Sequence, residues 1–246
     1  MNAGRLRLSA WMGPFGAALF FFGIWPIAKF MPPPPPSWSA VEIGNFYQEH
    51  ALGIRVGFLL TFWAAAVFLP WIVSVGVQMQ RIEGRWAPMT WTWLGCGFLL
   101  TLEIIFPSYF FEIAAFRATF RARNDELIQL LNDIGWIPYT GFVFTWIVSC
   151  IALAIVILTD KREKPIYPRW CAYYALWGAV VSLLAELDVF FVRGPLGWNG
   201  VLTFWLTAAV FTVWAIILTV LTLKAIKVHE EEHAADSRSA VDAHLV

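Results

Sequence analysis

The sequence predicts an all-α polytopic membrane protein, a bundle of six transmembrane helices. Hydrophobic residues make up 59% of the 246 positions and charged residues only 14%, whereas soluble domains carry roughly 25% charged residues. Six apolar stretches are each long enough to cross a bilayer as a helix, which needs about 20 residues. They lack the alternating pattern of membrane β-barrel strands, and in lipid an isolated segment satisfies its own backbone hydrogen bonds only as a helix. The lipid bilayer is therefore the first partner that the sequence predicts.

The predicted spans run approximately over Trp11–Phe30, Val56–Met79, Met89–Phe116, Pro138–Thr159, Trp170–Val192 and Val201–Ile226. The first could be mistaken for a signal peptide, but Pro14 and Pro26 interrupt it and no small-x-small cleavage site follows, so we expect it to be retained. Residues 1–227 are thus predicted to form one transmembrane domain. Residues 228–246 are polar and rich in small side chains, which indicates a cytoplasmic tail that need not fold.

The placement of Lys and Arg predicts an orientation in the cell (inner or plasma) membrane. If six spans alternate in direction, the larger set of basic residues falls on one side: Arg5, Arg7, Arg81, Arg85, Lys161, Arg162, Lys164, Arg169, Lys224 and Lys227. The opposite side carries the smaller set, Lys29, Arg55, Arg117, Arg121, Arg123 and Arg193. The positive-inside rule then places both termini in the cytoplasm.

The two longer outward loops are each predicted to carry a short amphipathic helix. In the first loop, a proline run is followed by Ser39 and, three residues later, Glu42, a capping box that opens a helix through about Leu52. In the other, Asn124 or Asp125 caps a helix whose apolar residues share one face. We expect Gly135 to end that helix before the fourth span begins.

Acidic residues at membrane depth are the main functional indication. Glu103, Glu186 and Asp188 lie in apolar runs, and an ionisable group there costs several kcal/mol, which makes it a functional hypothesis by default. Pro107 follows Glu103 by four residues and removes a backbone donor, so a helix kink is expected beside this acid. Glu186 and Asp188 are about 200° apart on an α-helix, so only one can face a given cavity. The pattern predicts an outward-opening cavity holding Glu103, one of the other two acids and a balancing Arg.

A competing interpretation places some acids at the membrane interface. Glu112 and Asp188 fall near the outer ends of their spans, where we expect them to pair with Arg117 and Arg193. Glu103 and Glu186 are expected to have buried polar roles, structural or active. Glu49 and His50 form either an acid–base pair at the cavity mouth or, since neighbouring residues diverge on a helix, an ordinary surface pair. The candidate ligand-binding residues are therefore Glu49, His50, Glu103, Glu112, Arg117, Glu186, Asp188 and Arg193, of which Glu103, Glu186 and Asp188 are also the catalytic candidates.

No cofactor or metal is predicted. No His falls within a predicted span, whereas haem and transition-metal sites in membranes need several. His229 and His233 have the spacing of the zincin His-Glu-x-x-His motif, but no third ligand is evident, so a solvated helix end is favoured. The three cysteines are expected to be buried small hydrophobes. A net charge of zero gives no support for nucleic-acid binding.

Four functions remain open. The first is binding or transport of a hydrophobic, lipid-like or aromatic small molecule in an outward-side cavity lined by the abundant Trp and Phe side chains. The second is an intramembrane proton-transfer enzyme of the isomerase or cyclase type that uses a buried carboxylic acid. The third is a proton- or cation-coupled carrier. The fourth is an accessory subunit whose aromatic faces pack against a membrane partner or a second copy of the chain.

Overall fold

The computed structural model of the chain describes residues 3–244, with side chains described through Glu232. Within these limits the protein is all-helical, without strands. The α-helices are α1 (Ala3–Phe22), α2 (Ala40–Glu83), α3 (Pro88–Ala118), α4 (Asp125–Gly141), α5 (Phe144–Thr159), α6 (Arg169–Ser182) and α7 (Thr207–His244). Wide π-helical turns cover Gly23–Ile27 and Val201–Leu206, and a 3₁₀ helix covers Ala185–Phe190.

Among the described residues, six helical stretches are long and apolar enough to cross a membrane, as the sequence predicts. They are Ala3–Ile27, Ala40–Glu83, Pro88–Ala118, Asp125–Thr159, Arg169–Phe190 and Val201–Glu232. Six such helices are compatible with a multi-pass membrane protein. We call the end of the bundle with loops 84–87 and 160–168 the terminal face, and the end with loops 28–39, 119–124 and 191–200 the distal face.

The first predicted loop helix is part of α2. The capping box at Ser39 is present, with the Ser39 backbone N–H donating to a Glu42 carboxylate oxygen at 2.7 Å. The helix then continues without interruption for 44 residues. The predicted gap near Leu52 does not form because Gly53 stays helical and packs directly against the carbonyl of Ile27.

The second predicted loop helix is α4, and it continues past its predicted end. Asn124 caps it as predicted, its side-chain oxygen accepting the Leu127 backbone N–H at 3.0 Å. Gly135 does not end the helix. It lies against the ring of Phe111, so close that an added Cβ would be 2.3 Å from a ring carbon. The chain leaves the helix only at Phe142 and Val143, inside the predicted fourth span.

The fifth span also departs from the predicted continuous helix over Trp170–Val192. α6 ends at Ser182, and the chain winds more tightly through the 3₁₀ helix that carries Glu186 and Asp188. α7, in contrast, continues to His244 and so enters the segment predicted as a polar tail.

Two aromatic cores hold the bundle together. The terminal core is built around the packed indoles of Trp71, Trp93 and Trp214, whose ring centroids lie 5.6–6.4 Å apart. The distal core is built around Phe30 and Phe111, with ring centroids 5.0 Å apart. A space remains between the two cores, and the candidate site lies there.

Candidate functional site

An apolar cavity of about 430 Å³ lies between the two aromatic cores. Ile24 and Phe204 of the distal core contribute to one end of its wall, and Phe68 and Trp146 of the terminal core contribute to the other. The volume falls within the roughly 300–1,000 Å³ that is typical of small-molecule sites.

Interruptions of regular helix supply part of the cavity wall. Phe142 and Val143 line it from the break between α4 and α5, and Thr203 and Phe204 line it from the π-helical turn before α7. These positions bring irregular backbone and the side chain of Thr203 to the bundle interior, where membrane proteins tolerate non-helical backbone because the segment faces a cavity.

The cavity wall is dominated by aromatic and aliphatic side chains. Its aromatic members are Phe20, Phe21, Phe68, Tyr139, Phe142, Trp146, Phe204 and Phe211. Phe20 of α1 and Tyr139 of α4 stack with ring centroids 6.4 Å apart. Among the described lining residues there is no Lys, Arg or His, and Glu103 is the one carboxylic acid.

Glu103, predicted to have a buried polar role, lines the cavity from α3. The side chain is half-buried, and its Oε1 atom accepts a hydrogen bond from the Thr145 hydroxyl at 2.5 Å. Its Oε2 atom is buried and has no hydrogen-bond partner among the described residues. The helix continues through Pro107, which is buried within α3. Glu103 is thus held at one oxygen and left unsatisfied at the other.

Three further residues that line the cavity each carry a buried polar atom without a hydrogen bond within the described part of the chain. These atoms are the hydroxyl oxygen of Tyr139 on α4, Nε1 of Trp146 on α5 and Oγ1 of Thr203 on the π-helical turn. A buried polar atom left without a hydrogen bond costs about 1–3 kcal/mol, and native proteins contain few of them. Four of the described residues that line this apolar space therefore each carry one such atom, packed within the wall.

Asp188 lies behind the cavity wall and contacts a residue that lines it. It is 3% exposed and contacts Thr140, whose Oγ1 lies 2.5 Å from Asp188 Oδ2 and 2.9 Å from the Trp136 carbonyl. Thr140 itself lines the cavity. The neighbouring Gly141 lies so close to Asp188 that an added Cβ would be 2.8 Å from Oδ1.

The expected interface pair between Asp188 and Arg193 does not form. Arg193 is exposed and makes no ion pair with Asp188 in the described structure. The reason is the 3₁₀ winding, which turns Asp188 toward α4 instead of toward the distal face. Glu186, two residues earlier, is half-buried and does not line the cavity.

The remaining candidates also lie away from the cavity. Glu112 is half-buried, and it forms no ion pair with Arg117 among the described residues. Arg117 is exposed and lies over the ring of Phe120, 5.6 Å from its centroid.

Glu49 and His50 are neighbours on α2. Glu49 is exposed, and the His50 ring packs against the edge of Phe46 with centroids 5.0 Å apart. Neither residue lines the cavity.

Metal-binding geometry is absent from the described residues, where no three His, Cys, Asp or Glu side chains come together. His229 contacts Arg81, with Nδ1 and Nη2 3.1 Å apart, whereas the side chain of His233 lies outside the described residues. Cys96, Cys150 and Cys171 are free thiols.

Comparisons of the chain with protein-family models, with curated proteins and with solved structures gave no match. The geometry of the cavity therefore carries the functional interpretation.

Proposed function

We propose that this protein binds a lipid-like or aromatic small molecule in the cavity between its two aromatic cores. The observation that carries the proposal is an apolar space of about 430 Å³ that is lined mainly by aromatic and aliphatic side chains and by one carboxylic acid, Glu103, among the described residues. Ligand sites are typically apolar cavities with a few convergent polar groups that fix orientation. Glu103 and the Thr side chains of the lining are the polar groups near such a molecule.

The cavity also reaches the outer surface of the bundle, which supports a ligand that comes from the bilayer. Ala18 on α1 and Ile216 on α7 both line the cavity, and both are exposed on the outside of the bundle. A hydrophobic molecule could pass between these helices without entering water.

Binding is favoured over proton-transfer catalysis by the composition of the wall. An intramembrane isomerase or cyclase needs an acid and a base on either side of its substrate. Among the described lining residues, the phenol of Tyr139 is the one ionisable group besides Glu103. Asp188 lies behind Thr140, outside the direct reach of a molecule in the cavity.

We also propose that both termini face the cytoplasm, which places the cavity wall formed by α4 and the second π-helical turn toward the outward side. The asymmetric distribution of Lys and Arg supports this orientation through the positive-inside rule.

Filling the cavity should abolish binding. Ala208 lines the cavity from α7, while its neighbour Ala209 is exposed and lies outside the lining. We expect Ala208→Trp to lose retention of three probes, methyl decanoate, n-decylamine and decanoate, because the indole occupies the space that the probe needs. Native mass spectrometry of the purified protein, released from detergent, measures the bound fraction.

Ala209→Trp is the matched control, because it adds the same side chain to the lipid-facing surface of the same helix. Thermal unfolding of both variants checks that they remain folded. The proposal is wrong if the wild-type protein retains none of the three probes, or if both variants retain them equally.

A further inference from the structure

We infer that the cavity takes an unbranched aliphatic chain, that the part of the ligand inside the cavity carries no polar substituent, and that any polar end group stays at an opening. This inference rests on the proposed function, since it names the class of molecule that the same cavity takes.

The cavity is long in the direction of the bundle axis. Its lining residues on α1 and the first π-helical turn extend from Gly13 to Ile24, and those on α7 extend from Thr207 to Thr219. At about 1.5 Å per residue, these two stretches are about 16 Å and about 18 Å long. An extended chain advances about 1.2 Å per bond, so a linear molecule of about ten carbons lies lengthwise within this extent.

The two stretches line the same length of cavity, from one aromatic core to the other. At the terminal end, Trp71 Nε1 donates to Thr219 Oγ1 at 2.8 Å, and the same indole lies against Gly13, where an added Cβ would be 2.4 Å from Cδ1. At the other end, Ile24 and Phe204 both belong to the distal core. The cavity is therefore a slot between two helices, closed at each end by aromatic packing.

The threonine hydroxyls of the described wall are already hydrogen-bonded, with one exception that is packed away. Those of Thr207, Thr212 and Thr219 on α7 each donate to a backbone carbonyl four or five residues earlier, at 3.4, 2.7 and 2.8 Å. Thr140 on α4 donates in the same way to the Trp136 carbonyl at 2.9 Å. None of these four hydroxyls has a free proton for a molecule in the cavity.

The other polar side-chain atoms of the described wall are also bonded or packed away. Glu103 Oε1 accepts the Thr145 hydroxyl at 2.5 Å. The atoms packed within the wall are Glu103 Oε2, the Tyr139 hydroxyl oxygen, Trp146 Nε1 and Thr203 Oγ1. A polar substituent inside the cavity would displace a bond that the protein already makes or remain without a partner, which is costly in an apolar interior. A hydrocarbon needs no such partner, and apolar protein cavities bind hydrocarbons such as benzene.

A polar end group has a place where the cavity reaches the outer surface of the bundle. Three of the described lining residues are exposed, namely Ala18, Phe142 and Ile216. A chain that lies in the slot leaves its end group at such an opening, outside the apolar wall.

Matched competitors test this assignment. Deuterated methyl decanoate serves as the reporter, and native mass spectrometry measures its bound fraction. Competitor concentrations are expressed as mole fractions in the detergent, so that differences in partition between water and micelle cancel. We expect dodecane, which has the length of the ester but no polar group, to compete within about threefold of unlabelled methyl decanoate, because the end group lies outside the cavity.

Two competitors should bind more weakly. Methyl 6-hydroxydecanoate places a hydroxyl inside the cavity, and the lost hydrogen bond should weaken competition by at least about tenfold. Methyl adamantane-1-carboxylate carries the same ester on a compact cage, which leaves much of the slot without contacts, so we expect a loss of at least about threefold. The lipid-facing variant Ala209→Trp should give the same ranking as wild type.

The outcomes separate this inference from the proposed function. Equal or tighter competition by the hydroxylated ester or by the cage overturns the inference, and so does a failure of dodecane to compete. The cavity proposal survives these results if Ala208→Trp still abolishes retention of the reporter. Retention of no probe, or equal retention in Ala208→Trp and Ala209→Trp, overturns both proposals.

Photolabelling at two positions gives a second measurement that does not depend on affinity. One decanoate ester carries a diazirine at the end of its chain, and the other carries it on the alcohol part of the ester. We expect the chain-end probe to label buried lining residues such as Ile24 and Phe204, and the ester-end probe to label the exposed ones, Ala18, Phe142 or Ile216. Adducts of the ester-end probe on the buried residues overturn the inference.

Discussion

Replacing Gly57 by alanine is expected to lower the free energy of unfolding by about 3 kcal/mol, the upper range for adding a methyl group to a well-packed interior. A Cβ at Gly57 would lie 2.4 Å from the carbonyl oxygen of Gly23 and 2.8 Å from the Cβ of Ala28. Both contacts belong to the first π-helical turn and the residue after it, where α1 rests against α2. Because a backbone carbonyl cannot rotate away as a flexible side chain can, the two helices must separate.

Close backbone approach at small residues is a general device for packing membrane helices. Gly53 and Gly57 of α2 form such a pair, with Gly53 against the Ile27 carbonyl. Displacing the π-helical turn would also move Ile24, which lines the cavity.

Gly95 supplies the control for this substitution. It lies within α3, and an added Cβ there would meet no heavy atom within 4 Å. Gly95→Ala should leave the unfolding temperature in detergent unchanged or slightly higher, since alanine favours helix over glycine. Equal unfolding temperatures for Gly57→Ala and Gly95→Ala would contradict the close packing of α1 on α2.

Replacing Trp71 by alanine is expected to have the largest effect on stability among aromatic substitutions, about 3–5 kcal/mol. Its indole is 2% exposed and packs against Phe68, Trp93 and Trp214. Its Nε1–H donates to Thr219 Oγ1 at 2.8 Å, which ties α2 to α7. Removing the side chain leaves a large void and a lost interhelical hydrogen bond.

Trp63 on the same helix is the matched comparison, because it is 69% exposed. Trp63→Ala should change the unfolding temperature in detergent far less than Trp71→Ala. If the two variants unfold together, the terminal core does not have the energetic role that its packing indicates.

The helices follow from the sequence because span length and apolar composition are local properties. The caps at Ser39 and Asn124 follow as well, since a capping side chain bonds a backbone N–H three residues away. The interruptions of these helices cannot be predicted from the sequence in the same way. Gly135, a residue type that usually indicates a helix end, serves close packing on Phe111 instead. The actual break, at Phe142 and Val143, directly follows Gly141, the last residue of α4, and the rings of Phe142 and Phe144 pack there at 4.1 Å.

The candidate site was only partly predictable for the same reason. Glu103 is evident as an acid in an apolar run, but its partner Thr145 lies on another helix, and the contact depends on how the bundle packs. The predicted position of Asp188 assumes a regular α-helix, whereas the chain is wound as a 3₁₀ helix there. Trp146 and Thr203 resemble many other Trp and Thr residues of the spans, and only their position on a cavity wall distinguishes them.

Photolabelling tests the central claim, a hydrophobic ligand in the cavity, most directly. A methyl decanoate analogue with a diazirine on its chain would be illuminated with the purified protein, and peptide mass spectrometry would locate the adducts. We predict adducts on lining residues such as Phe21 of α1 and Phe211 of α7, with protection by excess methyl decanoate and loss in Ala208→Trp. Adducts confined to lipid-facing residues such as Leu102 and Val213, which are 56% and 45% exposed, without protection by the competitor, would contradict the claim.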